Sequence, residues 1–240
     1  MMTKRRAPLL DGRLSAAMAL AESCRMFADI GADHGRLSAV MLLQDENRRA
    51  LTADISAPAL QKSRDLIARL GLNSRVTFAV ANGLDALDAL QGEQPDTVFI
   101  LGMGGDTVSG IIRRGAEKLH GAALILGAQT DLPLVRQTLC SIGYHICREE
   151  IASEGKHDYV LIRAEAGAAE YTEEELLLGP VLLKELPQSW LPLLERRMAL
   201  ITKGLHAMRA AKLEKDAERL ALFERESSYI QQAMERLRKE

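Results

Sequence analysis

The sequence has few cysteines and no long apolar run, and both absences limit the class of protein. Its three cysteines, Cys24, Cys140 and Cys147, include no C-x-x-C pair. Their odd number and scattered positions predict buried thiols in a reducing compartment. No run of about 18 apolar residues occurs, and no apolar segment of signal-peptide length follows the basic start MMTKRRAPLL. We therefore expect a soluble, cytoplasmic protein with no membrane partner.

Motifs of several enzyme classes are also missing. The five histidines lack the paired spacing of metal ligands, and neither a G-x-S-x-G turn nor a P-loop lysine is present. The absence of G-x-G-x-x-G argues against a nicotinamide dehydrogenase. The net charge of −2 exerts no general attraction on nucleic acid. An RNA site would therefore need a local cluster drawn from the 31 basic residues.

The most informative segment that is present runs from Met26 to Gly35 and reads MFADIGADHG. An apolar run ends in Asp29, Gly31 follows, and a helical pattern begins at Arg36. This order predicts a first strand whose tip turns into a helix beside a nucleotide-like ligand. The carboxylates of Asp29 and Asp33 would repel a pyrophosphate. They suit a ligand with cationic groups, such as the sulfonium and amino groups of S-adenosylmethionine.

Strand-like and helical segments alternate along the first two thirds of the chain. We predict strands over 26–30, 49–54, 75–80, 95–101, 122–127, 144–152 and 157–165, and helices over 11–24, 35–46, 56–70, 83–90, 104–119 and 131–142. Strands separated by helices pair in parallel, and the turn Ser153 to Gly155 predicts a final hairpin. The prediction is a doubly wound α/β sheet of seven strands with one antiparallel strand at its edge.

The composition changes at Gly167, after which two apolar series repeat at steps of three and four. Their members are Leu194, Met198, Ile201, Leu205 and Met208, then Leu220, Phe223, Ser227, Ile230, Met234 and Leu237. Such series are typical of two helices packed as an antiparallel coiled-coil hairpin. We therefore predict two domains, 1–167 and 168–240. The hairpin could be a solvated extension that packs on the core or on another subunit, or a lever that grips a large substrate.

Further candidate residues follow other strands, where a doubly wound sheet binds its ligand. Asp54 ends the second strand and could face ribose hydroxyls or cap the next helix. Asn82-Gly83 could read an adenine edge or form a plain turn. The segment Gly102 to Gly105 reads GMGG and allows close backbone approach to a ligand. His34 could be catalytic, cap a helix or pack inward.

Together these segments resemble the bacterial tRNA (adenine-22-N1)-methyltransferases. The likeness rests on ADIGADHGRLS at 28–38, ADIS at 53–56, GLNSRV at 71–76, GLDAL at 83–87, ILGMGGDTV at 100–108 and GKHDYVLIRAEAG at 155–167. It covers 28–167 and extends through 178–185. The resemblance implies a Rossmann-like class I methyltransferase domain followed by a coiled-coil domain, with S-adenosyl-L-methionine as cofactor and tRNA as partner.

The resemblance also implies roles for individual residues. Cofactor contacts would come from Arg13, Asp29, Gly31, Asp33, Asp54, Ile55, Asn82, Gly83 and Gly102. Catalytic roles would fall to Asp33, His34, Gly102, Met103 and Gly104. Two positions depart from the family pattern: Asn82 stands where the family usually has Asp, and Gly127-Ala128-Gln129 replaces a Q-P-N-like run after the fifth strand. The second departure concerns the substrate if that run helps to hold the target base.

The implied reaction places a methyl group on adenine N1, which lies on the Watson–Crick edge, so a paired base must first be flipped out. The ring then gains positive charge. Asp33, or a backbone carbonyl of the glycine turn that accepts from the N6 amino group, would stabilise that charge.

Two other functions remain open: a methyltransferase for a small molecule or protein, and a non-catalytic cofactor-binding interaction module. Basic residues clustered at the cleft mouth would favour RNA, and scattered ones a small substrate. The residues that decide are Lys4, Arg5, Arg6, Arg36, Arg48, Arg49, Arg113, Arg114 and Arg136.

Overall fold

The computed structural model describes residues 7–21, 24–155, 157–210 and 217–239. The chain divides into two compact units, Met1–Ala169 and Glu170–Glu240. The first unit contains a β-sheet with its helices, and the second is helical. Within the described residues, no helix combines the length and the apolar character needed to cross a membrane.

The described part of the first unit contains one sheet of seven strands in the order β3-β2-β1-β4-β5-β7-β6. The strands are β1 Met26–Ile30, β2 Arg49–Asp54, β3 Val76–Val80, β4 Thr97–Met103, β5 Ala123–Ala128, β6 Tyr144–Glu154 and β7 His157–Ala166. The first five strands pair in parallel. Strand β7 is antiparallel to both β5 and β6.

The prediction that the antiparallel strand lies at the edge is wrong, because β7 lies inside the sheet and β6 forms the edge. Burial explains this order. Val160, Leu161 and Ile162 of β7 form a continuous buried run, whereas β6 alternates between buried and more exposed residues. A strand buried on both faces belongs in the sheet interior, and an alternating strand suits an edge.

The α-helices of the first unit precede β1 or connect successive strands. They are α1 Gly12–Ala19, α2 Arg36–Gln44, α3 Ala57–Leu70, α4 Gly105–Gly115 and α5 Leu132–Ser141, while 83–90 is a 3-10 helix. Helix α3 illustrates the local rules. The Ser56 hydroxyl accepts from the Ala59 N–H, Pro58 lies in the first turn, and Gly71 ends the helix in the left-handed conformation.

The core of the first unit lies around the central strands. Phe27 of β1 and Phe99 of β4 are fully buried and meet edge to face, with ring centroids 5.9 Å apart. The three cysteines are free thiols. Cys24 is buried, but Cys140 and Cys147 are half-buried, so the prediction of buried thiols holds fully only for Cys24.

The second unit contains α6 Glu173–Leu178, α7 Pro180–Glu185, α8 Leu191–Ala210 and α9 Ala217–Leu237. Helices α8 and α9 pack against each other. From the two predicted apolar series, Leu194, Ile201, Ile230 and Leu237 are buried. The connection at 211–216 lies outside the described residues. The helical region is confirmed, and its coiled-coil geometry stays a prediction.

Candidate active site

A cleft of about 340 Å³ opens at the carboxyl ends of β1 and β4. Strand order reverses at this point, and doubly wound sheets bind their ligands there. The cleft brings together six of the predicted site residues, namely Arg13, Asp29, Gly31, Asp33, His34 and Gly102. Within the described ranges, no group of His, Cys, Asp and Glu side chains could hold a metal ion.

Asp29 lies at the tip of β1 and is only 5% exposed. Burial, with a smaller contribution from the charge of Asp54, raises its pKa to about 6, although hydrogen bonds from Ser38 and the charge of Arg13 act in the opposite direction. The Ser38 hydroxyl donates to Asp29 Oδ2 at 2.7 Å, and the Thr52 hydroxyl donates to Ser38 Oγ at 3.0 Å. In the sequence, both hydroxyls are marked only as small polar residues inside apolar segments, so neither was a predicted site residue.

The turn after β1 is tied to the end of β2. Gly31 has φ +78°, and its N–H donates to the Ala53 carbonyl at 2.8 Å. Asp54 accepts from the Asp33 N–H at 3.2 Å and from the Ser56 N–H at 2.8 Å. Since Ser56 caps α3, Asp54 does not act as the N-cap. Asp54 instead joins the loop after β1 to the loop after β2 through these two hydrogen bonds.

His34 lies on the open side of this turn. Its ring Nδ1 pairs with Asp33 Oδ2, and Asp33 Oδ1 lies 3.7 Å from Lys62 Nζ. Both side chains of the His34–Asp33 pair are about half exposed. Helix α2 is capped by Gly35 without a side-chain hydrogen bond. The alternatives in which His34 caps a helix or packs inward are therefore wrong.

The glycine turn after β4 forms the opposite wall. Gly102 has φ +79°, and a Cβ there would lie 2.8 Å from Arg13 Nη1. The Met103 side chain crosses to β1, since a Cβ on Gly31 would lie 2.0 Å from Met103 Cε. A Cβ on Gly105 would lie 2.4 Å from the Thr130 carbonyl oxygen. Gly31 and Gly102 have a positive φ, and the missing Cβ of Gly105 permits close contact with the backbone at Thr130.

The loop after β5 packs against this turn. The Gln129 N–H donates to the Met103 carbonyl at 2.8 Å, and the Gly105 N–H donates to Thr130 Oγ1 at 3.2 Å. Gly104 is the N-cap of α4, in an extended conformation. The segment Gly127-Ala128-Gln129, which departs from the family pattern, therefore lies directly beside the glycine turn Gly102 to Gly105.

Arg13 reaches the cleft from α1. Its guanidinium lies 5.7 Å from the Tyr159 ring centroid and 3.9 Å from Asp11 Oδ2. The Gly12 N–H donates to Glu154 Oε2 at 2.7 Å. The β6–β7 hairpin thus fixes the helix that carries Arg13. Tyr159 and Glu154 were not predicted from the sequence, because their roles depend on contacts between distant parts of the chain.

Two apolar side chains stand exposed near Asp54. Ile55 is 70% exposed after β2, and Val80 is 55% exposed at the end of β3. Asn82 is exposed and makes no capping hydrogen bond, while a Cβ on Gly83 would meet Ile111. Exposed apolar groups beside a carboxylate suit a ligand with a flat ring and hydroxyl groups.

The predicted RNA-contacting residues have mixed surroundings. Arg36 is exposed and lines the cleft. Arg48 and Arg136 are buried, so neither can belong to a basic cluster at the cleft mouth. Arg49 forms an ion pair with Glu93. Arg113 and Arg114 are exposed in the last turn of α4. The remaining three residues, Lys4, Arg5 and Arg6, lie outside the described residues. Among the described residues, only Arg36 from this set lines the cleft.

Comparison with known proteins agrees with this geometry. Residues 10–162 match the protein-family model described as "Methyltransferase domain". A tRNA (adenine(22)-N(1))-methyltransferase of Bacillus subtilis (strain 168) is 28% identical over 183 residues, which cover 73% of this chain and 76% of the relative. A putative tRNA methyltransferase of Mycoplasma pneumoniae is 27% identical over 171 residues, covering 70% and 78%.

Solved structures share the fold. The structure of the B. subtilis M1A22 tRNA methyltransferase superposes with a TM-score of 0.83 at 23% identity, covering 94% of this chain and 99% of that chain. A putative tRNA (m1A22) methyltransferase of Streptococcus pneumoniae in complex with S-adenosyl-L-methionine gives 0.81 at 21% identity, covering 94% and 100%. Since the family match includes the strands and turns that build the cleft, the chain belongs to the methyltransferase-domain family.

Proposed function

We propose that this chain is an S-adenosyl-L-methionine-dependent methyltransferase that methylates N1 of adenine 22 in tRNA. The observation that carries the proposal is the cleft at the switch point, where buried Asp29 lies beneath the glycine turns of β1 and β4. The names of the curated relatives support the choice of tRNA and of the base.

The residues of the cleft fit this cofactor. Gly31 and Gly102 adopt a positive φ, which residues with a Cβ rarely do, and so form the tight turns that line the cleft. Asp29 would bind the ammonium group, Asp54 would accept from the ribose hydroxyls, and Ile55 with Val80 would contact the adenine. Arg13 and Arg36 supply positive charge for the cofactor carboxylate. These roles match the chemistry of each group to its place in the cleft.

The cofactor supplies an electrophilic methyl group, and the protein has to position the base. Adenine N1 carries its own lone pair, so no strong base is needed. Correct orientation alone can supply roughly 7–11 kcal/mol of barrier lowering. The Met103 carbonyl already accepts from Gln129, whereas Asp33 has exposed partners that a substrate can displace. We therefore assign stabilisation of the charged ring to Asp33.

Mass-spectrometric nucleoside analysis tests the function. Unmodified tRNA is incubated with the protein and S-adenosylmethionine, digested, and examined for 1-methyladenosine. A tRNA with guanine at position 22 serves as the control and should gain no methyl group. The described members of the nine basic residues are scattered, which favours the alternative of a small substrate. A protein that binds the cofactor but transfers no methyl group to tRNA would support that alternative.

Replacing Asp54 with asparagine is expected to weaken cofactor binding by about 1–3 kcal/mol, because hydrogen bonds to a charged group are lost. Isothermal calorimetry with S-adenosylhomocysteine measures the change. Asp65→Asn is the matched control, since Asp65 is an exposed carboxylate of α3 that pairs with Gln61. Unchanged affinity in Asp54→Asn would contradict the ribose assignment.

A chain that ends at Ala169 is expected to keep cofactor binding, because every residue that lines the cleft belongs to the first unit. The same chain should methylate full-length tRNA poorly, since a domain of this size contacts only part of that substrate. Calorimetry and the nucleoside assay measure the two properties. Full activity would show that the helical unit is an accessory, and failure to fold would show that it completes the core.

A further inference from the structure

Two side chains with hydroxyl groups lie behind the cleft and do not line it, and both are completely buried. Ser38 of α2 and Thr52 of β2 both have 0% exposure. Their neighbours along the chain, Leu37, Ala39 and Leu51, are buried apolar residues. Burying a hydroxyl costs free energy unless it forms hydrogen bonds. The hydrogen-bond partners of Ser38 and Thr52 should therefore explain why polar residues occupy these core positions.

Both hydroxyls belong to one hydrogen-bonded chain that ends at Asp29. A carboxylate can only accept, so the single hydroxyl hydrogen of Ser38 must point to Asp29 Oδ2, 2.7 Å away. Ser38 Oγ can then only accept from Thr52 Oγ1, at 3.0 Å. The two hydrogen bonds therefore point in one direction, from Thr52 of β2 through Ser38 of α2 to Asp29 at the tip of β1. Thr52 orients Ser38, and Ser38 orients Asp29.

The surroundings of Asp29 make its charge sensitive to this chain. Asp54 opposes a second negative charge and Arg13 favours it. The other charged or titratable groups that line the cleft are Asp11, Asp33, His34 and Arg36. Burial raises the pKa of Asp29 to about 6, while the hydrogen bonds from Ser38 lower it. Losing the Ser38 hydroxyl would therefore shift Asp29 toward its neutral form near neutral pH.

We infer that Ser38 and Thr52 are positioning residues that orient Asp29 and keep it ionised for binding the ammonium group of the cofactor. The inference rests on the proposed function, because it assumes a cofactor with an ammonium group. It assigns a role in cofactor recognition to two residues that cannot touch the ligand.

The test measures the affinity of the full-length protein for S-adenosylhomocysteine as a function of pH. Wild-type affinity should fall as the pH drops through about 6, because protonated Asp29 no longer attracts the ammonium group. Ser38→Ala should move this midpoint upward by about one pH unit, the shift expected when a charged acceptor loses one hydrogen bond. Thr52→Val should move it upward by less, and Thr52→Ser should restore the wild-type profile.

Two controls separate this role from general damage. Ser109→Ala removes another fully buried hydroxyl, one that has no hydrogen-bond partner within the described residues, and should leave the midpoint unchanged. 5′-Methylthioadenosine lacks the amino-acid part, so its binding should be the same in every variant. Thr52→Val preserves the shape of the side chain and keeps the inference testable if Ser38→Ala does not fold.

The outcomes distinguish the inference from the proposed function. A wild-type protein that does not bind S-adenosylhomocysteine contradicts the proposed function. Wild-type binding with an unmoved midpoint in Ser38→Ala and Thr52→Val overturns the inference alone. A uniform loss of affinity at every pH would also overturn it, because the hydroxyls would then be merely structural.

Discussion

Glu149→Gln is expected to lower the free energy of unfolding by about 3–5 kcal/mol, the usual cost of removing one partner from a buried ion pair. Glu149 of β6 and Arg136 of α5 are both buried, and Glu149 Oε1 accepts from Arg136 Nε and Nη2 at 2.9 Å each. The substitution keeps the side-chain shape but removes the negative charge that the buried Arg136 guanidinium pairs with. Urea unfolding followed by circular dichroism measures the loss.

The neighbouring Glu150 provides a matched control for this prediction. Its ion pair with Arg148 is solvent-exposed, so Glu150→Gln should cost less than about 1 kcal/mol. The double replacement Arg136→Met with Glu149→Leu should recover most of the stability, because no unpaired charge remains. Equal small losses in Glu149→Gln and Glu150→Gln would mean that the buried pair does not contribute as proposed.

Gly102→Ala is expected to reduce the affinity for S-adenosylhomocysteine by about tenfold or more, equivalent to at least about 1.4 kcal/mol. A methyl group there would displace the Arg13 guanidinium and enter the cleft. The positive φ also strains any side chain, by roughly 1–2 kcal/mol of stability. Calorimetry measures affinity, and urea unfolding measures the strain.

Gly121→Ala separates these two effects. Gly121 has φ +85°, close to the +79° of Gly102, but a Cβ there would meet nothing within 4 Å. Both variants should therefore lose similar stability, and only Gly102→Ala should lose affinity. If Gly102→Ala binds the cofactor product as tightly as the wild type, the contact between Gly102 and Arg13 is not part of the cofactor site.

Much of the fold could be predicted because its signals are local. Alternating apolar segments and glycine or proline punctuation placed most element boundaries close to those observed, as Ser56, Pro58 and Gly71 do for α3. The order of the last two strands is not a local property. A hairpin pattern shows that β6 and β7 pair, but not which of them meets β5. Predicted helix 83–90 is a 3-10 helix for which periodicity alone gave no warning.

The candidate site divides in the same way. Carboxylates and glycines at strand ends mark the cleft, because the topology brings these ends together. The roles of Ser38, Thr52 and Tyr159 could not be predicted, since their contacts join different strands and helices and depend on how these pack. The burial of Arg48 and Arg136 could not be predicted, because a charge in the sequence does not reveal a partner that permits its burial.

The position of β7 between β5 and β6 has a consequence for biosynthesis. Among the described strands, β6 pairs with β7 alone, and β7 is the last of them along the chain. A nascent chain therefore carries β6 as an unpaired edge until residues through Ala166 have emerged. The same hairpin anchors the helix of Arg13 through Glu154 and Tyr159. Although Arg13 is translated early, its helix can form these two contacts only after residues through Tyr159 have been translated.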